Sequence, residues 1–468
     1  MTRTPSIIGV VLATIALIAC NNSDPLASDV KGAAPFDCGD SNIIILSTLK
    51  NAFSDEDFLE THKIICDTSK KDHTLDDTKY PYAGIPRIVI ITEDLRKIQD
   101  RETEIPAKLQ IWGEKAPKSK AMDMTIRGRG NSSWTEMPKK SYKIEFVEKQ
   151  SILGMPKNRD WALIANYADK TLMKNYLMYH LSAQLGAYYA PRCEFAELYI
   201  NNEYLGVYLL TETIKIGSNR VNIPDNDSSY IVEIAQNHRE KDLVFYSHVI
   251  RSDSVGKPFR VHEPKEPSEE SISMLKEHIE NFEQFLKTIQ PGQDNNISQW
   301  MDLNECIKHY WVQEFSKNPD ATGYSSLYFT WVKDGLIRMG PVWDFDLAFG
   351  SHFNEINNQT DDWLIKSAYW HSNIFKDSIA DRSRIDFWTE NRLQFVNTVA
   401  VADSIKDLLQ DAAKNNFKRW NILQSTKYTY HRYAYDTYDD AVEDLKNWIN
   451  ARIQWIDEAL QEESSQAK

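Results

Sequence analysis

The strongest constraint on the fold is a β-hairpin that is predicted to come directly after a helix. The apolar segments 326–332 and 336–339 flank Asp334-Gly335, a dipeptide that is typical of hairpin turns. The helix before them is predicted to stop at Pro319, because the residue before a proline avoids helical geometry. A hairpin returns the chain to where it started, so the residues before it lie beside the residues after it.

Three aspartates occupy these two positions. Asp320 lies before the hairpin, and Asp344 and Asp346 come after it two residues apart, so both face one side of an extended segment. Magnesium prefers one or two carboxylates together with water and phosphate oxygens. A single aspartate would be better explained by a turn or a loop cap. The three together indicate a magnesium-phosphate site and phosphoryl transfer, with Asp320 as the base that orients the attacking hydroxyl.

The N-terminus has the pattern of a bacterial lipoprotein signal. A short basic start is followed by the apolar run 7–18, which is too short to span a bilayer, and then by Leu-Ile-Ala-Cys20. This resembles a lipobox, which predicts a signal peptide over 1–19, lipid on Cys20 and a polar tether over 20–40. We therefore expect a lipid-anchored, extracytoplasmic protein of the bacterial cell envelope, at the outer membrane or cell surface. The alternative is an ordinary signal peptide with an incidental cysteine.

Charge and cysteine content exclude other classes. The formal net charge of −14 argues against a general nucleic-acid binder, because phosphate backbones require positive faces. Cys38 and Cys66 lie in a polar region and form a plausible disulfide in an oxidising compartment, although free thiols are equally compatible with the sequence. Cys193 and Cys306 lie in apolar patterns and are predicted to be buried thiols. No spacing typical of a zinc site occurs.

The rest of the chain divides by its periodicity. Residues 41–120 are predicted to be a β-rich region, either a separate domain or extra strands on the region formed by residues 121–217. Those residues read as strand, glycine loop, strand, helix, strand, strand, with the helix over 169–185 ending at Gly186. Further strands are predicted over 230–234 and 242–250. Helices are predicted from Ser268 to Ile289, after the capping pattern Asp302…Glu305, and over much of 360–468.

Several motifs occur in an order that resembles one family. They are Arg-Gly-Arg-Gly-Asn-Ser-Ser-Trp134, Lys-Lys-Ser-Tyr-Lys-Ile-Glu-Phe146, Glu-Leu-Tyr-Ile-Asn201, Gly-Val-Tyr-Leu-Leu-Thr-Glu212 and Trp-Asp-Phe-Asp-Leu-Ala-Phe-Gly350. Together they resemble the CotH family, atypical protein kinases related to spore coat protein H. The likeness covers about residues 121–350 and is weaker in the C-terminal helices.

The resemblance implies an α+β, protein-kinase-like fold with two lobes. A CotH kinase-like domain would cover 121–468, with a sheet-rich small lobe over about 121–217 and a helical lobe over about 265–468. Residues 41–120 would be an N-terminal β-rich extension. It also implies ATP, Mg²⁺ or Mn²⁺, and phosphate transfer to hydroxyls, chiefly of Ser, in a protein substrate of the envelope or outside the cell.

The resemblance also assigns roles to residues. Asp320 matches the catalytic-loop aspartate, Asp344 matches the metal-binding aspartate, and Asp346 supports it. Lys143 best matches the lysine that pairs with the phosphates of the nucleotide, and Lys140 is the alternative for that role. Arg127 and Arg129 would lie near the phosphates, and Glu212 would end the strand leading to the adenine-side hinge.

Two departures from the family pattern keep other functions open. Many relatives carry an asparagine a few residues after the catalytic aspartate as a second metal ligand, whereas here Ser325 would have to hold the metal. The segment 169–185 contains no glutamate to pair with the strand lysine. The alternatives are a pseudokinase-like envelope binding protein and a metal-dependent phosphohydrolase that uses the same acids.

Overall fold

The computed structural model describes residues 75, 77–236, 238–251, 253–351, 358–428 and 430–466. The predicted signal peptide, Cys20, the tether and the cysteine pair Cys38 and Cys66 lie outside the described residues. Those expectations therefore stay predictions.

Seven strands form a closed barrel in the order β1-β2-β3-β4-β5-β7-β6. Their bounds are β1 Arg87–Thr92, β2 Ile105–Trp112, β3 Met122–Arg129, β4 Ser141–Gln150, β5 Asn158–Ile164, β6 Cys193–Ile200 and β7 Glu203–Glu212. β1 runs parallel to β6 and closes the barrel, while the other neighbours are antiparallel. The strands predicted before residue 121 are thus part of the same barrel as those after it.

Buried contacts reinforce the closure between β1 and β6. The Arg87 Nε atom lies 3.6 Å from Glu197 Oε2, and both side chains are almost fully buried. The backbone N–H of Thr92 donates to Asn201 Oδ1 at 2.9 Å. A buried ion pair and a side-chain cap therefore hold the two ends of the barrel wall together.

The barrel has an apolar interior because side chains alternate along each strand. On β4, Tyr142, Ile144 and Phe146 are buried in the barrel core, whereas Lys143 between them faces outward. The predicted order of elements was wrong because it omitted β5. The polar start of this strand, Asn158-Arg-Asp160, does not resemble a buried strand. The outer face of β5 packs Ala162 against the rest of the protein rather than against solvent.

A second sheet has the order β12-β11-β8-β10-β9. Its strands are β8 Ser229–Ile234, β9 Val244–Ser247, β10 Lys257–Glu263, β11 Leu327–Val332 and β12 Arg338–Met339. The predicted hairpin is confirmed: Phe329 pairs with Met339, and Asp334 in its turn has a left-handed φ of 63°. The strand predicted over 242–250 is shorter than expected, and β10 was not predicted.

Seven α-helices complete the described part of the chain. They are α1 Ser132–Thr135, α2 Lys174–Gln184, α3 Glu269–Thr288, α4 Leu303–Phe315, α5 His371–Ile374, α6 Ser378–Arg419 and α7 Tyr438–Gln466. Ser268 and Asp302 are N-caps of α3 and α4, as predicted. α4 ends at Phe315, four residues before Pro319.

The start of α2 differs from its prediction at Asp169. The Asp169 carboxylate accepts the N–H groups of Thr171 and Lys174, and Leu172 has a left-handed φ of 63°, so a turn precedes the helix. Gly186 comes after the end of α2 with a φ of 71°, which confirms its predicted role.

One large core joins the outer face of the barrel, the second sheet and the helices. This mixture of sheets and helices confirms the predicted α+β class. Cys306 is a buried free thiol, as predicted, while Cys193 is only partly buried. Within the described ranges, no helix is both long enough and apolar enough to cross a membrane.

Candidate functional site

Asp320 lies on a short turn whose geometry is fixed by Asn318. The turn is a 3-10 segment, Pro319–Thr322, and the Asn318 side chain caps it by accepting the N–H of Asp320 at 3.3 Å. The same amide donates through Nδ2 to the backbone oxygen of Asp344 at 3.1 Å. One buried asparagine therefore joins the loop before the hairpin to the loop after it.

Asp344 and Asp346 are held by α2. The Phe345 N–H donates to Asn175 Oδ1 at 2.9 Å, and Asn175 Nδ2 donates to the Asp346 carboxylate. At the adjacent position on α2, the buried Lys174 ammonium donates to the backbone oxygen of Ala348 at 2.8 Å. The first turn of α2 thus fixes the whole Asp-Phe-Asp segment.

A serine contacts the first of these aspartates. The Ser326 hydroxyl donates to Asp344 Oδ2 at 3.3 Å. Ser325, the residue predicted to hold metal, instead donates its backbone N–H to the Asp320 carbonyl at 3.1 Å. The hydroxyl beside Asp344 is therefore that of Ser326, and a ligand role for Ser325 stays a prediction.

The three carboxylates lie close enough to influence one another. Burial, followed by the charges of Asp344, Asp346 and Glu233, raises the pKa of Asp320 well above its ordinary value. Burial and the charges of Asp344 and Asp169 raise the pKa of Asp346 to about 7. Burial also raises the pKa of Asp344, against the opposing charge of Arg129. A cation that binds between crowded carboxylates stabilises them, because it offsets their mutual repulsion.

The carboxylates do not form a ready-made metal cage. Among the residues that the structure describes, no group of three or more His, Cys, Asp or Glu side chains is arranged to hold a metal ion by itself. Mg²⁺ typically binds proteins through one or two carboxylates and takes its other ligands from water and phosphate. Asp344 and Asp346 fit that donor set chemically.

Arg129 reaches the acidic centre from the barrel. Arg127, Arg129 and Lys143 share the outer face of β3 and β4, since Arg127 is paired with Lys143 and residues two apart face the same side. The Arg129 guanidinium lies over the Trp343 ring at 4.8 Å and lowers the pKa of Asp344. Arg129 is therefore the predicted phosphate-binding residue that the structure brings to the acids.

The other predicted cations have carboxylate or carbonyl partners. The Lys143 ammonium lies 2.9 Å from Asp160 and 3.1 Å from Glu145, and Arg127 Nε lies 3.4 Å from Glu104. The competitor Lys140 donates to the backbone oxygen of Trp134. Lys143 thus finds a carboxylate partner on β5 rather than on α2, and its role toward phosphate stays a prediction.

The fully buried Glu212 carboxylate lies in a separate cluster. It forms ion pairs with Arg220 and with Arg192, the latter at 2.8 Å, and accepts the Tyr189 hydroxyl at 3.1 Å. These contacts satisfy its charge within the protein and indicate a structural function. Its role at the adenine side stays a prediction.

Sequence reasoning missed four residues around the acids, namely Asn175, Glu233, Asn318 and Ser326. Glu233 carried a usable signal, because an acid inside the apolar strand segment Tyr230-Ile-Val-Glu-Ile234 is buried only when it has partners. Asn318 carried another signal, since Asn before Pro favours a turn. Asn175 and Ser326 gave none, because their partners are distant in sequence.

Comparison with known proteins places these motifs in one family. The family described as CotH kinase protein matches residues 126–456, which includes every barrel, loop and helix residue of the site. No curated protein matches the chain. The matched region covers well over half of the sequence and extends through the C-terminal helices, where the resemblance in sequence was weakest. The chain belongs to the CotH kinase family.

Proposed function

We propose that the protein is an extracytoplasmic, lipid-anchored CotH-type kinase that transfers the γ-phosphate of ATP to Ser hydroxyls of proteins. The barrel would act as the small lobe, and the second sheet with the helices would act as the helical lobe. The observation that carries the proposal is geometric: Asn318 joins the loops of Asp320 and Asp344 by hydrogen bonds, Asn175 holds Asp346, and Arg129 lies over the ring of Trp343 beside them. Family membership supports the reaction class.

In this proposal each carboxylate has a separate task. Asp344 and Asp346 would hold Mg²⁺ or Mn²⁺, which supplies positive charge against the phosphates when it is bound. Arg129 would add charge from the barrel side, with Arg127 and Lys143 on the same face. Asp320 would accept the hydrogen bond of the acceptor hydroxyl and orient it for attack.

The raised pKa of Asp320 fits this division of labour. Without a cation, burial and three neighbouring carboxylates favour the protonated form of Asp320, which cannot accept the hydroxyl proton. Positive charge at Asp344 and Asp346 would remove most of that repulsion and lower the pKa of Asp320. Asp320 would then become a competent base only in the loaded site.

A pseudokinase-like binding protein is the second candidate. The observation in its favour is that Asp160 and Glu145 already neutralise Lys143, so this lysine would have to leave them to reach a phosphate. In that case the protein would hold a partner on the envelope without transferring phosphate. The two candidates differ in their response to ATP and metal.

A labelling experiment separates the candidates. The soluble mature protein is incubated with γ-labelled ATP and Mn²⁺, alone and with envelope extract, beside Asp320→Ala, Asp344→Ala and the surface control Asp411→Asn. A kinase labels protein in the wild type and the control only, and Asp320→Ala still binds nucleotide. Labelling that persists in Asp320→Ala would refute the proposed base. Free phosphate without labelled protein would indicate a phosphohydrolase, and no response to ATP or metal would indicate a binding protein.

The location is tested separately. Cys20→Ser removes the proposed lipid attachment site, so the protein should move from the membrane fraction to the soluble fraction of exported proteins. Incorporation of labelled fatty acid into the wild type, but not into Cys20→Ser, would support the anchor. Equal fractionation of both proteins would contradict it.

A further inference from the structure

A buried charged row crosses the second sheet next to the acidic site. Glu233 on β8 is paired in register with Arg260 on β10 and with Tyr328 on β11, so the three side chains share one face of the sheet. Glu233 is only 4% exposed and forms an ion pair with Arg260, which also contacts Asp242 at 3.3 Å. A carboxylate buried this deeply requires such partners.

This row faces the acids of the site. Glu233 accepts the backbone N–H of Ser326, whose hydroxyl contacts Asp344. After burial, Asp344 and Asp346, the charge of Glu233 also contributes to the raised pKa of Asp320. The His262 ring lies edge-on to the Tyr328 ring, with their centroids 5.6 Å apart. The sheet therefore presents Glu233 to the loop that carries Ser326, beside the acidic site.

Glu233 is connected to Asp344 through one residue. Its Oε1 atom accepts the backbone N–H of Ser326 at 3.1 Å, and the Ser326 hydroxyl donates to Asp344 Oδ2 at 3.3 Å. Ser326 has a left-handed φ of 56°, which is uncommon outside glycine and asparagine and has to be held by the surrounding structure. Arg260, on the neighbouring strand, fixes the Glu233 carboxylate from the other side.

We infer that Glu233, clamped by Arg260, is a positioning residue that sets Ser326 and thereby orients Asp344 toward the divalent cation. The inference rests on the proposed function, because it assumes that Asp344 is a metal ligand. Neither Glu233 nor Arg260 needs to touch the metal or the substrate. Residues that orient a metal ligand in this way change metal affinity by roughly 10- to 100-fold when they are removed.

Two variants of Glu233 separate its hydrogen bond from its charge. In Glu233→Gln, an amide oxygen can still accept the Ser326 N–H, but the ion pair with Arg260 is lost. In Glu233→Ala, both are lost. We expect Mn²⁺ binding in the presence of a non-hydrolysable ATP analogue to weaken by roughly tenfold or more in the Ala variant and by less in the Gln variant.

The chain offers a matched control in Glu305. This carboxylate is also buried, accepts the backbone N–H of Tyr188 at 3.0 Å and is paired with Lys308 at 2.8 Å, but it belongs to α4 and its described partners lie outside the acidic site. Glu305→Ala should lower the thermal midpoint as Glu233→Ala does, because each substitution leaves a backbone N–H without its carboxylate acceptor and removes one ion-pair partner from a cation. Only Glu233→Ala should weaken Mn²⁺ binding.

The experiment measures bound Mn²⁺ by electron paramagnetic resonance in the full mature protein, with calorimetric midpoints for each variant. The inference is overturned if Glu233→Ala binds Mn²⁺ as tightly as the wild type, if Glu305→Ala loses as much affinity, or if the wild type binds no Mn²⁺. Because the readout is binding, it is independent of transfer. A wild type that binds Mn²⁺ with the analogue but labels no protein would refute the kinase proposal, while the comparison of Glu233 with Glu305 would still decide the positioning role.

Discussion

The crowding of carboxylates predicts an unusual pH dependence of stability for the metal-free protein. Burial and the neighbouring charges raise the pKa of Asp346 from an ordinary 3.8 to about 7. The folded state therefore holds this proton more tightly than the unfolded chain. The resulting stabilisation is fully present below about pH 4 and is lost as the pH rises to about 7.

Replacing the charge without changing the shape isolates this effect. Asp346→Asn keeps the oxygen that accepts the Asn175 amide and removes the ionisable group. A difference of about three pKa units corresponds to about 4 kcal/mol. With an unfolding entropy of about 2.1 cal/mol/K per residue over about 380 described residues, that free energy corresponds to about 5 °C in the thermal midpoint.

The assay is scanning calorimetry of chelator-treated protein between about pH 4 and pH 8, the range that brackets the loss of the stabilisation. Near pH 4 the variant and the wild type should melt together, and near pH 8 the variant should melt about 5 °C higher. Adding Mn²⁺ with an ATP analogue should reverse the order at pH 8, because only the wild type keeps both carboxylates for the cation. Asp411→Asn is the control, since Asp411 is 70% exposed and paired with Lys414 on the surface. A midpoint difference that is the same at every pH, or a variant that is less stable than the wild type at pH 8, would refute the reasoning.

Three further substitutions test separate contacts. Asn175→Leu removes the hydrogen bond to Asp346 and leaves the Phe345 N–H unpaired, which should cost about 3 kcal/mol of stability. Because the Asp-Phe-Asp segment loses its anchor, the transfer rate should fall, and an unchanged rate in a labelling assay would contradict this role. Ser326→Asn places a residue that tolerates a left-handed φ at that position, so the thermal midpoint of the variant should equal or exceed that of the wild type. A midpoint several degrees lower would show that the serine hydroxyl is essential for stability. Arg220→Met removes an ion-pair partner of the buried Glu212 carboxylate and should cost about 3–5 kcal/mol of stability, while the KM for ATP stays constant. A raised KM for ATP in folded protein would instead place Glu212 at the nucleotide.

The convergence of the acids could be predicted because it depends on local structure. Asp320 and Asp344 are separated by the rest of a short turn and by a hairpin, and the turn residues Asp334-Gly335 determine both the reversal and its position. Short-range rules of chain geometry are sufficient for such a segment. The caps at Ser268 and Asp302 and the glycine after α2 were predictable for the same reason.

The partners of Glu233 and Asn175 could not be predicted, because they depend on long-range pairing. Glu233 contacts Ser326 only because β8 lies between β10 and β11 in the sheet. The segment of chain between β8 and β11 is much longer than the one between β8 and β10. Asn175 meets Asp346 through the packing of a helix on a loop that is 171 positions away in sequence. The periodicity of the sequence does not report contacts between distant elements. Because β5 and β10 were not predicted, the order of strands in the two sheets could not be predicted either.

The parallel pairing of β1 with β6 has a practical consequence for anyone who wishes to produce this protein in parts. A fragment cut to the family match, 126–456, would lack β1, β2 and the first half of β3, and it would expose two unpaired strand edges. It would also leave the buried Glu197 carboxylate without the Arg87 guanidinium that pairs with it. Soluble expression should therefore begin ahead of residue 75. During folding, β1 can close the barrel only when β6, roughly a hundred residues further along the chain, is available to pair with it.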